Sequence, residues 1–230
     1  MVFTPFISVI IAVRNGEKYI GDAIRSIISQ QYEPIEIIVV DGKSEDSTVS
    51  IASSYRDVRV ISQTHLSLAD ARNIGVDSAR GNLIAFLDSD DIWAPRKLAT
   101  QVRYLQEHTE IIAVIALLSF FRDSGHKIDS RYIDRFEREW VGYTPGTLVV
   151  RKEDFLDIGY FYPTYSIGCD TDWFARVLDA NIPLAIIPKV LLYKRVHDRN
   201  LSLNSKVCRN EVFSILRESL DRKREKSDHG

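Results

Sequence analysis

Four mostly apolar runs alternate with amphipathic segments in residues 1–90, and this alternation most constrains the fold. The runs occupy 7–13, 35–41, 58–62 and 82–88 and are rich in valine and isoleucine. Such runs are typical of strands that are covered on both faces of a parallel sheet. Between them, apolar residues recur at the spacing of amphipathic helices. The alternation predicts right-handed βαβ units and an α/β fold.

The pattern changes from residue 111 onward and predicts a mixed sheet. The expected strands lie at 111–121, 147–151, 183–187 and 190–195, and the expected helices at 152–158 and 171–180. Segment 206–230 begins as an amphipathic helix and ends in charged residues. No internal repeat, low-complexity linker or second core pattern is visible, which favours a single domain.

Composition excludes several classes of protein. A net charge of −2 over 230 residues gives no sign of the basic stripe of a nucleic-acid-binding protein. The two cysteines, Cys169 and Cys208, cannot form a disulfide framework or a known zinc motif. This cysteine usage predicts a reducing, cytoplasmic location. The apolar runs are too short for a signal peptide or a membrane span, but peripheral membrane contact and homodimer formation through the last helix both stay open.

Three carboxylates stand in "FLDSDDIW", at the end of the fourth run and directly after it: Asp88, Asp90 and Asp91. In open parallel sheets, ligands bind beyond the carboxyl ends of the strands, where Asn15 and Asp41 are also expected. Oxygen ligands in a loop suit Mg²⁺ or Mn²⁺, so D-x-D predicts a site for a metal with a diphosphate. An acidic turn that caps the next helix is the alternative. An EF-hand is excluded, and the Walker and dinucleotide glycine motifs are absent.

Four segments in the same order resemble the signatures of family 2 glycosyltransferases with the GT-A fold. They are "SVIIAVRNGEKYIGDAIRSIISQQYEPIEIIVVDGKSEDST", "ARNIGVDSARGNLIAFLDSDDIW", "GCDTDWFARVL" and "LYKRVHDRNLS". The resemblance implies one Rossmann-like GT-A domain over 1–205, with a parallel or mixed central sheet flanked by helices. Its nucleotide-sugar half would be 1–110, its acceptor half 111–205, and 206–230 would be a C-terminal helix with a charged end.

The resemblance also implies an inverting transfer of a sugar from a nucleotide-sugar, with a UDP-sugar favoured. By position, Asp41 should accept a hydrogen bond from the base, and Val13 and Asn15 should belong to the first nucleotide loop. Arg72 should lie near the nucleotide or its phosphates. Asp88 should lie near the ribose or near a metal-bound water.

The metal and the base are assigned in the same way. Asp90 should bind Mn²⁺ or Mg²⁺ directly, with Asp88 beside it, and His197 matches a position that reaches the metal or the diphosphate in some relatives. Asp170 should be the general base that takes the acceptor proton. Asp172 should support it or cap the following helix.

Two departures from the family pattern leave alternatives open. Cys169 stands in place of a glutamate, and Lys43 enters the second loop. A catalytically silent nucleotide-sugar-binding or regulatory module is therefore the alternative function. A sugar-1-phosphate nucleotidyltransferase is disfavoured because its glycine- and arginine-rich loop is absent. The acceptor, which could be a glycan, a lipid-linked sugar, a peptide or a small molecule, would be selected by 122–145 and the 160–170 loop.

Overall fold

The computed structural model of the protein describes residues 4–64, 67–122, 136–198, 200 and 205–228. Its strands are β1 (Ile7–Val13), β2 (Ile35–Asp41), β3 (Val58–Ser62), β4 (Leu83–Phe86), β5 (Ile92–Trp93), β6 (Ala113–Arg122), β7 (Trp140–Val141), β8 (Val149–Arg151) and β9 (Leu184–Val196). Within the described residues they form one sheet in the order β3–β2–β1–β4–β8–β6–β9–β5, with β7 paired to β6.

Helices cover both faces of this sheet. They are α1 (Ile20–Ile28), α2 (Thr48–Ser53), α3 (Leu68–Ser78), α4 (Lys97–Glu107), α5 (Lys152–Ile158), α6 (Cys169–Asp179) and α7 (Ser205–Asp228), with a 3-10 turn at Pro145–Thr147. One apolar core contains buried residues of α1, α2 and α4, and the other contains buried residues of α3, α5, α6 and α7. Alternate residues of β1 enter the two cores, because successive side chains of a strand point to opposite faces.

The parallel sheet predicted for the first half is confirmed. Strands β3, β2, β1 and β4 are parallel neighbours, and the first three have the predicted bounds. The second half is mixed, as expected: β8 is antiparallel to both β4 and β6, whereas β6 and β9 are parallel. The carboxyl ends of β1, β2 and β4 therefore meet at one edge of the sheet.

The expectation of separate strands at 183–187 and 190–195 was wrong. They form the single strand β9, whose pairing with β6 shifts register between Ile187 and Leu192. Pro188 has no backbone N–H to donate to a neighbouring strand. It lies where the register is irregular, so the strand continues past it.

Ser44 lies before helix α2 and binds the loop that follows β1. Helix α2 begins at Thr48, and Ser44 Oγ accepts a hydrogen bond from the backbone of Asn15 at 2.8 Å. By contrast, Ser67 caps α3, accepting from the Asp70 backbone at 3.3 Å.

Residues 123–135, which make up most of the acceptor stretch expected at 122–145, lie outside the described residues. None of the helices in the described part of the chain combines the length and apolar character that a membrane crossing needs.

We expect Gly81→Ala to lower the free energy of unfolding by about 1–3 kcal/mol, because overpacking in a close backbone contact has this cost. A Cβ at Gly81 would lie 2.6 Å from both Phe6 O and Ser8 N. The matched control is Gly21→Ala in α1, where the Cβ would meet the end of the flexible Arg25 side chain at 3.1 Å. Chemical denaturation should show the control unchanged or stabilised by up to about 1 kcal/mol. Equal losses in both variants would contradict the close contact.

Candidate active site

A cavity of about 1560 Å³ opens beside the carboxyl ends of β1 and β4 and the last part of β9. Most of the residues predicted for the site line it: Val13, Asn15, Arg72, Asp88, Asp90, Asp170 and His197. Asp41 and Asp172 are not among the described lining residues.

The loop after β1 is held against the loop after β2. Asn15 has a left-handed φ of 52°, and its side-chain Oδ1 accepts a hydrogen bond from the Glu45 backbone at 2.9 Å. The next residue, Gly16, donates its backbone N–H to Thr48 Oγ1 at 2.8 Å. Asn15 therefore acts on the cavity through the shape of this loop, with its own side chain engaged by the protein.

Asp41 ends β2 beside Val13 of β1 and is 3% exposed. Its Oδ2 accepts a hydrogen bond from the Ser44 backbone at 3.0 Å. Its Oδ1 is buried and has no hydrogen-bond partner among the described residues, and the same holds for the side-chain oxygen of Gln63. Gln63 lines the cavity and donates its backbone N–H to Asp41 O at 2.9 Å. Buried acceptors of this kind cost free energy unless a donor reaches them.

Arg72 of α3 connects three parts of the site. Its Nη2 donates to Asp88 Oδ1 at 2.8 Å, and its Nη1 lies 3.6 Å from Cys169 Sγ at the start of α6. Arg72 is 3% exposed. Burial opposes its charge, but the charges of Asp88 and Asp170, the neighbouring Cys169 and the hydrogen bond to Asp88 together outweigh burial and raise the pKa of Arg72. A charged arginine is thus held between the end of β4 and the first turn of α6.

Lys194 of β9 brings a second cation to the carboxylates. Its Nζ donates to Asp91 Oδ2 at 3.2 Å and to Asp88 Oδ2 at 3.4 Å. Burial disfavours the ammonium, yet the attraction of Asp91 and Asp88 raises the pKa of Lys194. Burial alone would raise the pKa of Asp88, but Arg72 and then Lys194 outweigh it and hold that pKa at about 2. Asp88 is therefore ionised and bound by two cations.

Asp90 faces His197 in the cavity. The Asp90 Oδ2 atom lies 2.9 Å from His197 Nε2 and accepts from Asn200 Nδ2 at 3.2 Å. The ring of His197 stacks on Tyr19 with 5.0 Å between ring centres. Arg195 Nε donates to the Asp90 backbone oxygen at 2.9 Å. The Asp90 turn is thus positioned by the end of β9 and by the residues that follow it.

Asp90 and His197 offer ligand atoms that suit a divalent cation to which a diphosphate also binds. No group of three or more His, Cys, Asp or Glu side chains in the described ranges forms a metal-binding cluster. Asp90 and His197 together offer one carboxylate and one imidazole. Mg²⁺ usually binds one or two protein carboxylates, with phosphate and water completing the shell, and Mn²⁺ accepts oxygen ligands in the same way. Two protein ligands are therefore enough when the substrate supplies the others.

Asp170 lies in the first turn of α6 and faces the cavity. Its Oδ1 accepts from the Thr171 backbone at 2.8 Å. Burial raises the pKa of Asp170, against the opposing charge of Arg72. Burial likewise raises the pKa of the neighbouring Cys169 thiol to about 11, so this residue is neutral where the family pattern has a glutamate. Asp170 is therefore a carboxylate of raised basicity in the cavity wall.

Asp172 is held inside the protein and is not among the described residues that line the cavity. It is fully buried, and its Oδ2 accepts from Arg176 Nε at 3.0 Å within α6. The same Arg176 donates to Ile158 O and Tyr160 O, each at 2.6 Å. The pair therefore joins α6 to the end of α5.

Glu211 of α7 holds the loop that leads into α6. Its carboxylate accepts hydrogen bonds from the backbone N–H groups of Ser166, Ile167 and Gly168 at 2.7–3.0 Å, and from Ser166 Oγ at 2.6 Å. Burial would raise the pKa of Glu211, but these hydrogen bonds outweigh burial and lower it. The position of the first turn of α6, and hence of Asp170, depends on α7.

Four residues of the site carry no role predicted from the sequence: Lys194, Asn200, Gln63 and Glu211. Lys194 and Asn200 lie within the quoted "LYKRVHDRNLS", where basic and amide residues around the histidine were a usable signal. Gln63 and Glu211 carry no motif. Their roles arise from contacts between segments that are far apart in the chain.

Comparisons with known proteins identify the family of the chain. A family model described as "Glycosyl transferase family 2" matches residues 8–169. The chain is 35% identical over 219 residues to the Escherichia coli protein named UDP-Glc:alpha-D-GlcNAc-diphosphoundecaprenol beta-1,3-glucosyltransferase WfaP, covering 91% of this chain and 79% of that one. It is also 35% identical over 131 residues to the protein EpsH of Bacillus subtilis strain 168, covering 55% of this chain.

The structural comparison supports the GT-A fold. The mannosyltransferase PcManGT from Pyrobaculum calidifontis, solved with GDP-Man and Mn²⁺, superposes with a TM-score of 0.70 at 21% identity, over 96% of this chain and 65% of that one. The chain spans 38% of the length of EpsH and 44% of that of a Haemophilus influenzae relative.

We expect Glu211→Gln to lower the free energy of unfolding by about 1–2 kcal/mol at neutral pH, since charge-assisted hydrogen bonds are lost. The lowered pKa means that this stabilisation is present above the ordinary value of 4.5 and is lost as the pH falls below it. Denaturation across pH should therefore show the difference from wild type shrinking in acid.

The matched control for this variant is Glu107→Gln, which removes an exposed partner of Arg103. An exposed pair of this kind contributes only about 0.3–0.5 kcal/mol. A difference between wild type and Glu211→Gln that does not change with pH would contradict the assigned role of the carboxylate.

Proposed function

The chain belongs to glycosyl transferase family 2, and from this premise we propose that it transfers a sugar from a nucleoside diphosphate sugar to an acceptor hydroxyl, with inversion. The observation that carries the proposal is the meeting of Asp88, Asp90, Arg72 and Asp170 around one cavity. Cations and carboxylates suited to a diphosphate lie on one side of it, and a carboxylate of raised pKa lies in the wall formed by α6.

A UDP-sugar is the proposed donor. The Oδ1 of Asp41, which has no hydrogen-bond partner among the described residues, would accept the N3–H of uracil, and this would remove the cost of its burial. The WfaP relative is named for UDP-Glc, and its 35% identity over most of both chains supports the same nucleotide here. The loops that carry Val13 and Asn15 would surround the base and the ribose.

Arg72 and Lys194 would face the diphosphate, because both cations already lie against Asp88 in the cavity wall. Asp90 and His197 would hold Mn²⁺ or Mg²⁺ together with the phosphate oxygens. When bound, the cation neutralises the charge that develops on the leaving diphosphate. Asp88 would keep Arg72 and Lys194 in place.

Asp170 is the proposed general base. It would take the proton of the acceptor hydroxyl as the oxygen attacks the anomeric carbon from the face opposite the diphosphate, and this geometry inverts the configuration. Its raised pKa makes it a stronger base than an ordinary aspartate. Asp172 would act through Arg176, by positioning α6.

The proposed acceptor is a sugar carried on a lipid diphosphate. The support is the name of the WfaP relative, which gives a diphosphoundecaprenol-linked sugar as its acceptor, and the coverage of 91% of this chain by that match.

The alternative is a catalytically silent nucleotide-sugar-binding module. Cys169 favours it, because the neutral thiol cannot make the contacts of the glutamate that it replaces. Donor binding without turnover would support this alternative.

We expect UDP to bind wild-type protein in the presence of Mn²⁺, and Asp90→Asn to weaken that binding by about tenfold or more, since a charged contact to a metal is lost. The control is Asp198→Asn, which removes the same charge from an exposed residue of the cavity lining. Calorimetric titration of UDP and GDP with and without Mn²⁺ measures both variants. Equal UDP affinity in wild type and Asp90→Asn would contradict the metal–diphosphate site.

We expect Asp170→Asn to reduce sugar transfer by about 10²- to 10⁴-fold while UDP affinity stays close to wild type. A base acts when deprotonated, so the wild-type rate should fall with decreasing pH at a midpoint above 3.8, the ordinary value of an aspartate. Transfer from UDP-sugars is measured by release of UDP in the presence of acceptor. An unchanged rate in Asp170→Asn would exclude Asp170 as the base, and no turnover in wild type would favour the silent module.

A further inference from the structure

An apolar stripe runs along the outer side of α7. It consists of Val212, Phe213, Leu216 and Leu220, whose exposed fractions are 40%, 65%, 54% and 56%. The side that packs on the protein is a different one, with Ile215 only 2% exposed. Packing on the part of the chain that the structure describes therefore does not account for the four large apolar residues of the stripe.

Basic residues flank the stripe. Arg209, Arg217 and Arg224 are exposed, and each lies three or four residues from a member of the stripe, so they share its side of the helix. Acidic residues of α7 lie elsewhere: Glu211 and Glu218 bind Ser166 and Tyr165 of the protein body. Asp221 and Glu225 are not at a three- or four-residue spacing from any member of the stripe.

The helix is fixed to the body beside the cavity. Asp179 of α6 accepts hydrogen bonds from Ser219 Oγ at 2.8 Å and from Arg222 Nε at 3.0 Å. Together with Glu211 and Glu218, these contacts hold α7 along much of its length. Val212, the first residue of the stripe, also lines the cavity. The stripe therefore begins where the cavity opens.

We propose that α7 lays this stripe on an anionic lipid surface, with the arginines against the phosphate groups, so that the cavity opens toward the membrane. An apolar face bordered by basic residues is the pattern of helices that lie in the membrane interface. The inference deepens the proposed function, because a lipid-linked acceptor would then enter the cavity from the surface on which the protein lies. A second copy of the chain fits less well, because paired stripes would bring their flanking arginines together.

The test is co-sedimentation of the whole chain with vesicles of phosphatidylcholine, alone or mixed with phosphatidylglycerol. We expect binding to the mixed vesicles that weakens with added salt, and a loss of about tenfold or more in Phe213→Ser/Leu216→Ser, because buried apolar area is removed. The matched control is Leu178→Ser, which changes a residue of α6 that is 50% exposed outside the stripe. Circular dichroism and UDP affinity report whether each variant is folded.

Absence of binding to mixed vesicles by the wild type would overturn the inference, and so would equal binding by wild type and the double variant. A dimer of the wild type in analytical ultracentrifugation that the double variant loses, without vesicle binding, would overturn it in favour of self-association. None of these readouts requires sugar transfer. The proposed function fails instead if UDP does not bind or if no transfer occurs, whatever the vesicles show.

Discussion

The partly buried carboxylates at the end of β4 depend on cations from distant parts of the chain. Asp88 and Asp91 lie close together in a site of restricted solvent access, where unpaired charges are costly. Arg72 from α3 and Lys194 from β9 compensate them. Ile92 and Trp93 pair with β9, and this pairing brings the acidic turn beside the last part of that strand. Lys194 lies there and therefore reaches the carboxylates.

The pairing of these carboxylates with Arg72 and Lys194 also arranges the side chains of the cavity. With Asp88 bound by two cations, Asp90 is left facing His197 and Asn200. The carboxylates of "DSDD" therefore have different surroundings: Asp88 contacts two cations, Asp91 joins the turn to β9, and Asp90, the proposed metal ligand, contacts His197 and Asn200. Motif spacing alone does not separate these surroundings.

Helix α7 is part of the site's support. Through Glu211 it binds the backbone of the loop before α6, and through Ser219 and Arg222 it binds Asp179. The first turn of α6 carries Asp170 and contacts Arg72 through Cys169. A chain of contacts thus runs from the acidic turn to α7. This arrangement places the start of the apolar stripe of α7 at the cavity. The surface on which the stripe lies would therefore decide from which side an acceptor enters.

Sequence alone determined the parallel half of the sheet, because runs of β-branched residues and helical periodicity are local properties. It also predicted that Asn15, Asp41, Asp88 and Asp90 lie at one edge of the sheet, because the carboxyl ends of parallel strands meet there. Only the tertiary structure decided the path of β9 past Pro188, the contacts of Ser44 and Glu211, and the difference between Asp88 and Asp90. These features depend on which segments approach one another across the sheet. Local propensity does not predict contacts between distant segments. The role of Lys194 therefore follows only from the structure, in which β9 places it beside the carboxylates.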